Sequence, residues 1–245
     1  HDGYTLYDLT AYEERHNEAN KENSEDGHTH NISRNWGAEG PSDEPEIEEM
    51  RALVRRSMLV TLFASLGTPM LLGGDEFSRT QSGNNNAYCQ DNEISWFDWE
   101  QARSEQGEAM TRFVARLTAL RRRYPLLRSN TFLHGDEEAA DGLPDIEWWD
   151  ERGQRIEPED WENGEGRALL MRRAQRCEDG SVQTLSLLLN AGDEALTFKL
   201  PPPRIARRVL IDSAYPEADE HSEVLETYIL QSKAAALLEW TRQEP

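Results

Sequence analysis

Apolar residues recur along this chain in two rhythms, and the change between them falls near residue 130. Before that point they keep helical spacing or gather in one short run. Ile47, Met50, Val54, Met58, Thr61 and Leu62 mark one helix, with Asp43 placed to cap it, Pro45 in its first turn and Glu46 three residues after the cap. Toward Leu66 this helix is apolar on most sides, which predicts a buried end, and Gly67 stops it. Met110, Phe113, Val114, Leu117 and Leu120 mark another, which closes on Arg121-Arg122-Arg123-Tyr124-Pro125. Proline cannot continue a helix, and arginines suit its negative end. Between the two, Thr68-Pro69-Met70-Leu71-Leu72 reads as a short buried strand closed by Gly73-Gly74. A helix, a glycine turn and an apolar strand make the unit of an α/β layer.

Beyond residue 130 the runs are short and alternate: 146–149, 168–171, 182–189, 196–200, 208–211, 224–230 and 234–240. Asn163-Gly164, Asp179-Gly180 and Ala191-Gly192-Asp193 supply turns between them. This spacing predicts an antiparallel β-sandwich. The expected division is therefore an α/β part over 1–130 and an all-β domain over 131–245.

Two long polar stretches interrupt the first part. Tyr4, Leu6, Tyr7, Leu9 and Tyr12 suggest a short helix, after which Asn17 to Pro45 has no apolar period. Asp75 to Asp98 is the second. Structureless loops of that length are usually functional or disordered, and in barrel enzymes the loops after parallel strands hold the active site. Asn31 and Trp36 stand in the first loop; Asn84, Asn85, Asn86, Tyr88, Gln90 and Asp91 stand in the second. Amides and carboxylates grip hydroxyls and aromatic faces cover the apolar side of a ring, so these are candidate sugar-binding residues. Asp75 and Glu76 follow the apolar run. Neighbours on an extended strand point to opposite sides, which suits a supporting role, such as pairing with an arginine, better than a catalytic acid pair. Asp2, beside His1, is either a polar chain end or a carboxylate that stabilises an oxocarbenium-like sugar.

Metal chemistry is not predicted. His28, His30 and Asp26 lack the number and spacing of a closed zinc site, and residues 84–91 lack the alternating acids of a calcium loop. Cys89 has no activating neighbour in sequence and reads as a lining residue. Trp148, Trp149 and Trp161 could form a sugar platform, but in a sandwich they read first as core.

The formal net charge of −21 repels nucleic-acid phosphates and anionic membranes, so neither is an expected partner, and a neutral substrate fits better. Two cysteines in different regions make no disulfide framework, which points to a reducing cytoplasm. No apolar run is long enough to span a membrane. The chain opens on His1 rather than Met, so a preceding part of the same polypeptide is expected.

Several segments together carry a family resemblance. They are His1-Asp2-Gly3-Tyr4-Thr5-Leu6, His16-Asn17-Glu18-Ala19-Asn20, Glu22-Asn23 through Asp26-Gly27, His30-Asn31-Ile32-Ser33, Gly37-Ala38-Glu39-Gly40-Pro41, Gly67-Thr68-Pro69 through Gly74-Asp75-Glu76-Phe77, Gly83-Asn84-Asn85-Asn86-Ala87-Tyr88-Cys89-Gln90-Asp91-Asn92 and, in the second domain, Asp145-Ile146-Glu147-Trp148 and Glu157-Pro158-Glu159-Asp160-Trp161. With them the chain resembles the glycogen debranching enzymes of the isoamylase type, in the α-amylase clan; the asparagine-rich segment is the most specific. The resemblance implies the C-terminal part of a (β/α)8 TIM barrel followed by an antiparallel β-sandwich. It implies retaining hydrolysis of α-1,6 branch bonds in glycogen or limit dextrin, without a cofactor. The nucleophilic Asp and the acid/base Glu of that family would stand on earlier strands, outside this chain. Asp2 would be the third carboxylate, which stabilises the transition state, and His1 its hydroxyl-binding neighbour. Many relatives carry Trp where this chain has Arg34, and here Trp36 stands beyond Asn35 instead. Two other readings stay open: a glucan-binding or barrel-capping module, and a transglycosidase of the same clan.

Overall fold

The computed structural model describes all residues except 1, 2, 137, 141, 219, 221, 222 and 243–245. The helices are α1 (Asp8–Ala11), α2 (Pro45–Ala64), α3 (Trp99–Ala102) and α4 (Glu105–Arg123). The strands are β1 (Glu138–Ala140), β2 (Leu143–Pro144), β3 (Ile146–Trp149), β4 (Ala168–Arg176), β5 (Val182–Asn190), β6 (Leu196–Lys199), β7 (Arg207–Asp212), β8 (Glu223–Val224), β9 (Thr227–Leu230) and β10 (Ala235–Arg242). The chain forms two compact units, one of residues 1–56 and 70–116, the other of 57–69 and 117–245, so α2 and α4 each contribute to both.

In the first unit, α2 departs from its expected face. Its first helical bond runs from Glu48 N to Glu44 O, so Glu44 rather than Asp43 holds the cap position. Ile47, Met50 and Val54 are half-buried and Met58 is exposed, whereas Arg51 and Arg55 are fully buried. The reason is hydrogen bonding. Arg51 donates to the carbonyls of Asn35, Ala38 and Gly40 and pairs with Glu48 at 2.6 Å. A guanidinium carries five donors and can satisfy a whole turn of loop backbone that has no ladder of its own.

The segment after α2 also differs from expectation. Leu66 is exposed, and residues 68–72 form no strand, with Met70 85% exposed. A strand is defined by its neighbours' hydrogen bonds, and no strand pairs with this run among the described residues. Asp75 and Glu76 lie in a 3₁₀ turn, Asp75–Phe77, not on extended chain.

The strands of the second unit fall on the expected runs, but burial along them is continuous where alternation was expected, with 170–174, 184–188 and 234–240 all buried. Six antiparallel strands run in the order β3-β4-β5-β10-β7-β8, and β6 pairs with β9 in a sheet of its own. The run Val224 to Leu230 is broken at Leu225-Glu226 into β8 and β9, which join different sheets. Across the large sheet Met171 faces Leu187, which faces Leu237. Leu170, Leu188, Leu210, Leu230 and Leu238 are fully buried, each worth roughly 2 kcal/mol of transfer free energy. The end of α2 belongs here: Arg121 donates to the carbonyls of Phe63, Ser65 and Gly67, which a helix end leaves unsatisfied. Trp161, expected in the core, is exposed.

Candidate functional site

The two polar loops of the first unit are stitched together by side-chain amides. Asn85 is fully buried. Its Nδ2 donates to Asn31 Oδ1 at 2.7 Å and to His28 O at 2.9 Å, and its Oδ1 accepts from Asn17 Nδ2 at 2.9 Å. Asn84 Nδ2 donates to Asn20 Oδ1 at 2.9 Å, and Asn86 Nδ2 donates to Asp26 Oδ2 at 2.8 Å. Asn20 Nδ2 reaches the same Asp26 oxygen at 2.8 Å. These two amides hold the Asp26 carboxyl below its ordinary range. Gln90 Nε2 closes the ring by donating to Asn20 Oδ1 at 2.7 Å.

The backbone must come unusually close for this to work. A Cβ at Gly27 would lie 2.2 Å from Asn85 Oδ1, and its φ of +75° is one that glycine alone adopts at little cost.

Below this ring the loops are fixed to the short helix. Gly3 N donates to Asn85 O at 2.7 Å and Leu6 N donates to Asp75 Oδ1 at 2.9 Å. Asp8 Oδ1 accepts from Thr80 Oγ1 at 2.5 Å and its Oδ2 from Gln81 N at 2.8 Å. Burial raises the carboxyl of Asp8 to about 6, against those bonds, and also raises that of Asp75. Glu76 Oε2 accepts from Gly74 N at 2.8 Å. Asp75 and Glu76 thus hold backbone.

A second hub, Glu39, sets the turn that carries Trp36. It accepts from the N–H groups of Glu13 and Glu14, from Asn35 Nδ2 at 3.0 Å, and bonds His16 Nε2 at 3.1 Å. Burial pushes this carboxyl up, but the four donors outweigh it and hold it low. Asn35 Oδ1 in turn accepts from Gly37 N at 3.0 Å. Trp36 is held at φ +57°, a region that bulky residues rarely adopt, with the Arg34 guanidinium 4.3 Å from its ring.

The predicted residues therefore separate into two groups. Asn84, Asn85 and Asn86 are buried, with their amides spent on other protein groups. Gln90 is half-buried and also takes Asn92 Nδ2 at 2.8 Å. Tyr88 is 74% exposed, Asp91 is exposed and accepts from Trp96 Nε1 at 2.9 Å, and Asn31 and Trp36 are half-buried. His1 and Asp2 lie outside the described residues. Sequence reasoning gave no role to Asn17, Asn20, Glu39, Asp8 or Arg51, although the first three stand in segments that carry the family resemblance. Their signal was polarity in otherwise apolar or loop surroundings, which does not tell a buried bond from a solvated one. Among the described residues no group of three or more His, Cys, Asp or Glu could hold a metal. On the loops that these amides join, Trp36 is half-buried and Tyr88 and Trp96 are exposed.

Comparison with known proteins gives a consistent family. The chain is 37% identical to the glycogen operon protein GlgX homolog of Mycobacterium tuberculosis over 252 residues, which covers 97% of this chain and 34% of that protein. It is 44% identical to the glycogen debranching enzyme of Pectobacterium carotovorum over 165 residues, 67% of this chain and 24% of that enzyme. The chain thus spans about a third or less of the curated relatives it matches. In structure it resembles a pullulanase from Bacillus acidopullulyticus (TM-score 0.58, 14% identity, 98% of this chain, 23% of that chain). It also resembles the catalytic module of the glycogen-degrading pneumococcal virulence factor SpuA (TM-score 0.54, 15% identity, 98% of this chain, 34% of that chain). At such identities these likenesses speak for the fold alone. No protein-family model matches the chain.

Proposed function

The chain belongs with the glycogen debranching enzymes, and on that premise we propose that it forms one part of a retaining glycoside hydrolase that cleaves α-1,6 branch bonds in glycogen or limit dextrin. The observation that carries this reading is the asparagine ring joining residues 17–31 to residues 84–90. It turns two long loops into one rigid surface with aromatics at its edge, and Gly3, which follows Asp2, bonds into it through Asn85 O. In this reading Asp2 stabilises the oxocarbenium-like transition state and His1 binds a sugar hydroxyl. Trp36, Tyr88, Gln90, Asp91 and Asn31 contact the glucan, while Asn84, Asn85 and Asn86 hold the loops that present them. Asp75 and Glu76 fix backbone beneath.

The barrel belongs to the proposal as well. Met70 and Leu72 are exposed on a segment that has no strand partner among the described residues. They suit a barrel strand whose neighbours come from another part of the enzyme, in which residues 1–130 are the C-terminal portion of the (β/α)8 barrel. The nucleophile and the acid/base would also come from that other part, as two carboxyls about 5–5.5 Å apart. The proposed location is the cytoplasm, where the free thiols of Cys89 and Cys177 would remain reduced. Among the described residues no helix is long and apolar enough to cross a membrane.

The test measures reducing ends released from branched limit dextrin by this chain and by the longer polypeptide. The chain alone should show no turnover, and clear hydrolysis by it would sink the reading. In the longer enzyme Asp2→Asn should lower kcat on the order of 100-fold or more, the scale of losing a charge-stabilising group at a transition state. A near-normal rate would remove Asp2 from the mechanism.

A further inference from the structure

The second unit holds a cleft of about 530 Å³ that none of the roles above uses. Its walls are the turn after β3, the 3₁₀ turn Pro158–Glu162 and the segment leading into β4. Asp150, Gln154, Arg155, Asp160, Asn163 and Arg167 are among its lining residues. The volume lies within the ~300–1,000 Å³ of small-molecule sites.

The walls are ordered by their own bonds. Asp150 N donates to Gln154 O at 2.8 Å, Gln154 N to Asp150 Oδ1 at 2.7 Å, and Ile156 N to Trp148 O at 3.0 Å. Glu157 N donates to Asp160 Oδ2 at 2.9 Å as part of a capping box. Arg167 Nη1 bonds the carbonyls of Gly164 and Gly166, and its own carbonyl accepts from Ala191 N at 2.7 Å. A ligand would enter a preformed site and would not have to order it.

The lining chemistry selects the ligand class. Four carboxylates and three arginines line the cleft, so it favours neither an anion nor a cation strongly. The protein's charge of −21 repels polyanions. A cleft with mixed donors and acceptors suits a neutral polyhydroxyl chain. Trp161, on the same 3₁₀ turn as Asp160, is 54% exposed. Its ring stands at 84° to that of Trp148, with 5.3 Å between centroids, so the two are not stacked. Trp161 does not itself line the cleft, but it stands in the chain between two residues that do, Asp160 and Asn163, so an exposed indole lies at the cleft's margin.

We propose that this cleft and Trp161 form an accessory α-glucan-holding site on the antiparallel unit, separate from the asparagine-ring surface; the identity of the sugar rests on the debranching reading. The test is affinity electrophoresis of the full 245-residue chain in gels containing glycogen, with maltoheptaose titration as a second readout. Trp161→Ala should weaken retention roughly tenfold, on the scale of losing one aromatic contact to the ligand. Arg155→Met should weaken it too, and it keeps the test valid if the first variant melts early. Hydrogen exchange with maltoheptaose present should show protection over residues 150–168. Wild-type retention in both variants, or no retention of the chain itself, would overturn the proposal. The debranching reading fails separately: absent hydrolysis by the longer enzyme with retention intact would strike that reading and leave the cleft standing.

Discussion

Asp8 is a carboxyl without solvent, and its energetics run against habit for an acid. Most carboxylates in folded proteins are stabilised as anions, whereas burial raises this one to about 6 from an ordinary 3.8, despite donors from Thr80 and Gln81. The folded chain therefore holds this proton more tightly than the unfolded chain. The stability it contributes is complete below about pH 4, falls as pH rises toward 6 and is constant beyond. A shift of about two units corresponds to about 3 kcal/mol. Denaturant unfolding of wild type and Asp8→Asn should therefore show the wild type's relative stability falling by about that amount between pH 4 and 7. A difference that stays flat or grows with pH would refute the assignment. In sequence Asp8 stands between Tyr7 and Leu9, an acid in an apolar turn. That position hints at burial but does not name the Thr80 and Gln81 donors more than seventy residues away.

Asparagine side chains join two elements that have no regular structure to share. The loops at 17–31 and 84–90 meet through amides because an amide donates and accepts at once, so a few side chains can supply bonds that a sheet would draw from its backbone. Removing Asn85 takes a partner from Asn31 Oδ1 and His28 O, both part-buried contacts, and from the buried Asn17 Nδ2, which keeps only Asp26 O. Asn85→Ala should cost about 2–4 kcal/mol by thermal or urea unfolding. Tyr88→Ala, at an exposed ring, should change stability by no more than about 0.5 kcal/mol. Equal losses in the two would mean that the ring does not hold the loops. The contrast also shows what sequence reveals at this scale. Length and polarity identified both loops, and short apolar runs between turn residues identified strands of the second unit. An asparagine bonded to its neighbour and one offered to a sugar look alike in sequence, so Asn84–Asn86 and Tyr88 could not be separated. The run 68–72 failed for a related reason. Its composition is that of a strand, but pairing is a property of neighbours, and no strand among the described residues pairs with it.

Charge acts on the molecule as a whole. Asp and Glu number 47 against 26 Lys and Arg, and several of those cations do inside work. Arg51, Arg172 and Arg207 are buried, and each donates to backbone carbonyls. The outer surface is left with acids in excess, and in a compact fold they stand closer together than in an unfolded chain. Self-repulsion then opposes folding, and dissolved salt relieves it, since the screening length falls from roughly 30 Å at 0.01 M to about 3 Å at 1 M. Exposed ion pairs such as Arg204–Glu226 weaken under the same salt, but each is worth at most about 1 kcal/mol. The buried Arg172–Glu147 pair is shielded from it. Repulsion should therefore dominate, and Tm at pH 7 should rise as sodium chloride increases from about 0.01 to 0.5 M. A Tm that falls over that range would mean that surface pairs, not net charge, govern the fold. Affinity for maltoheptaose should stay constant across the same series, because a neutral sugar displaces no counterions.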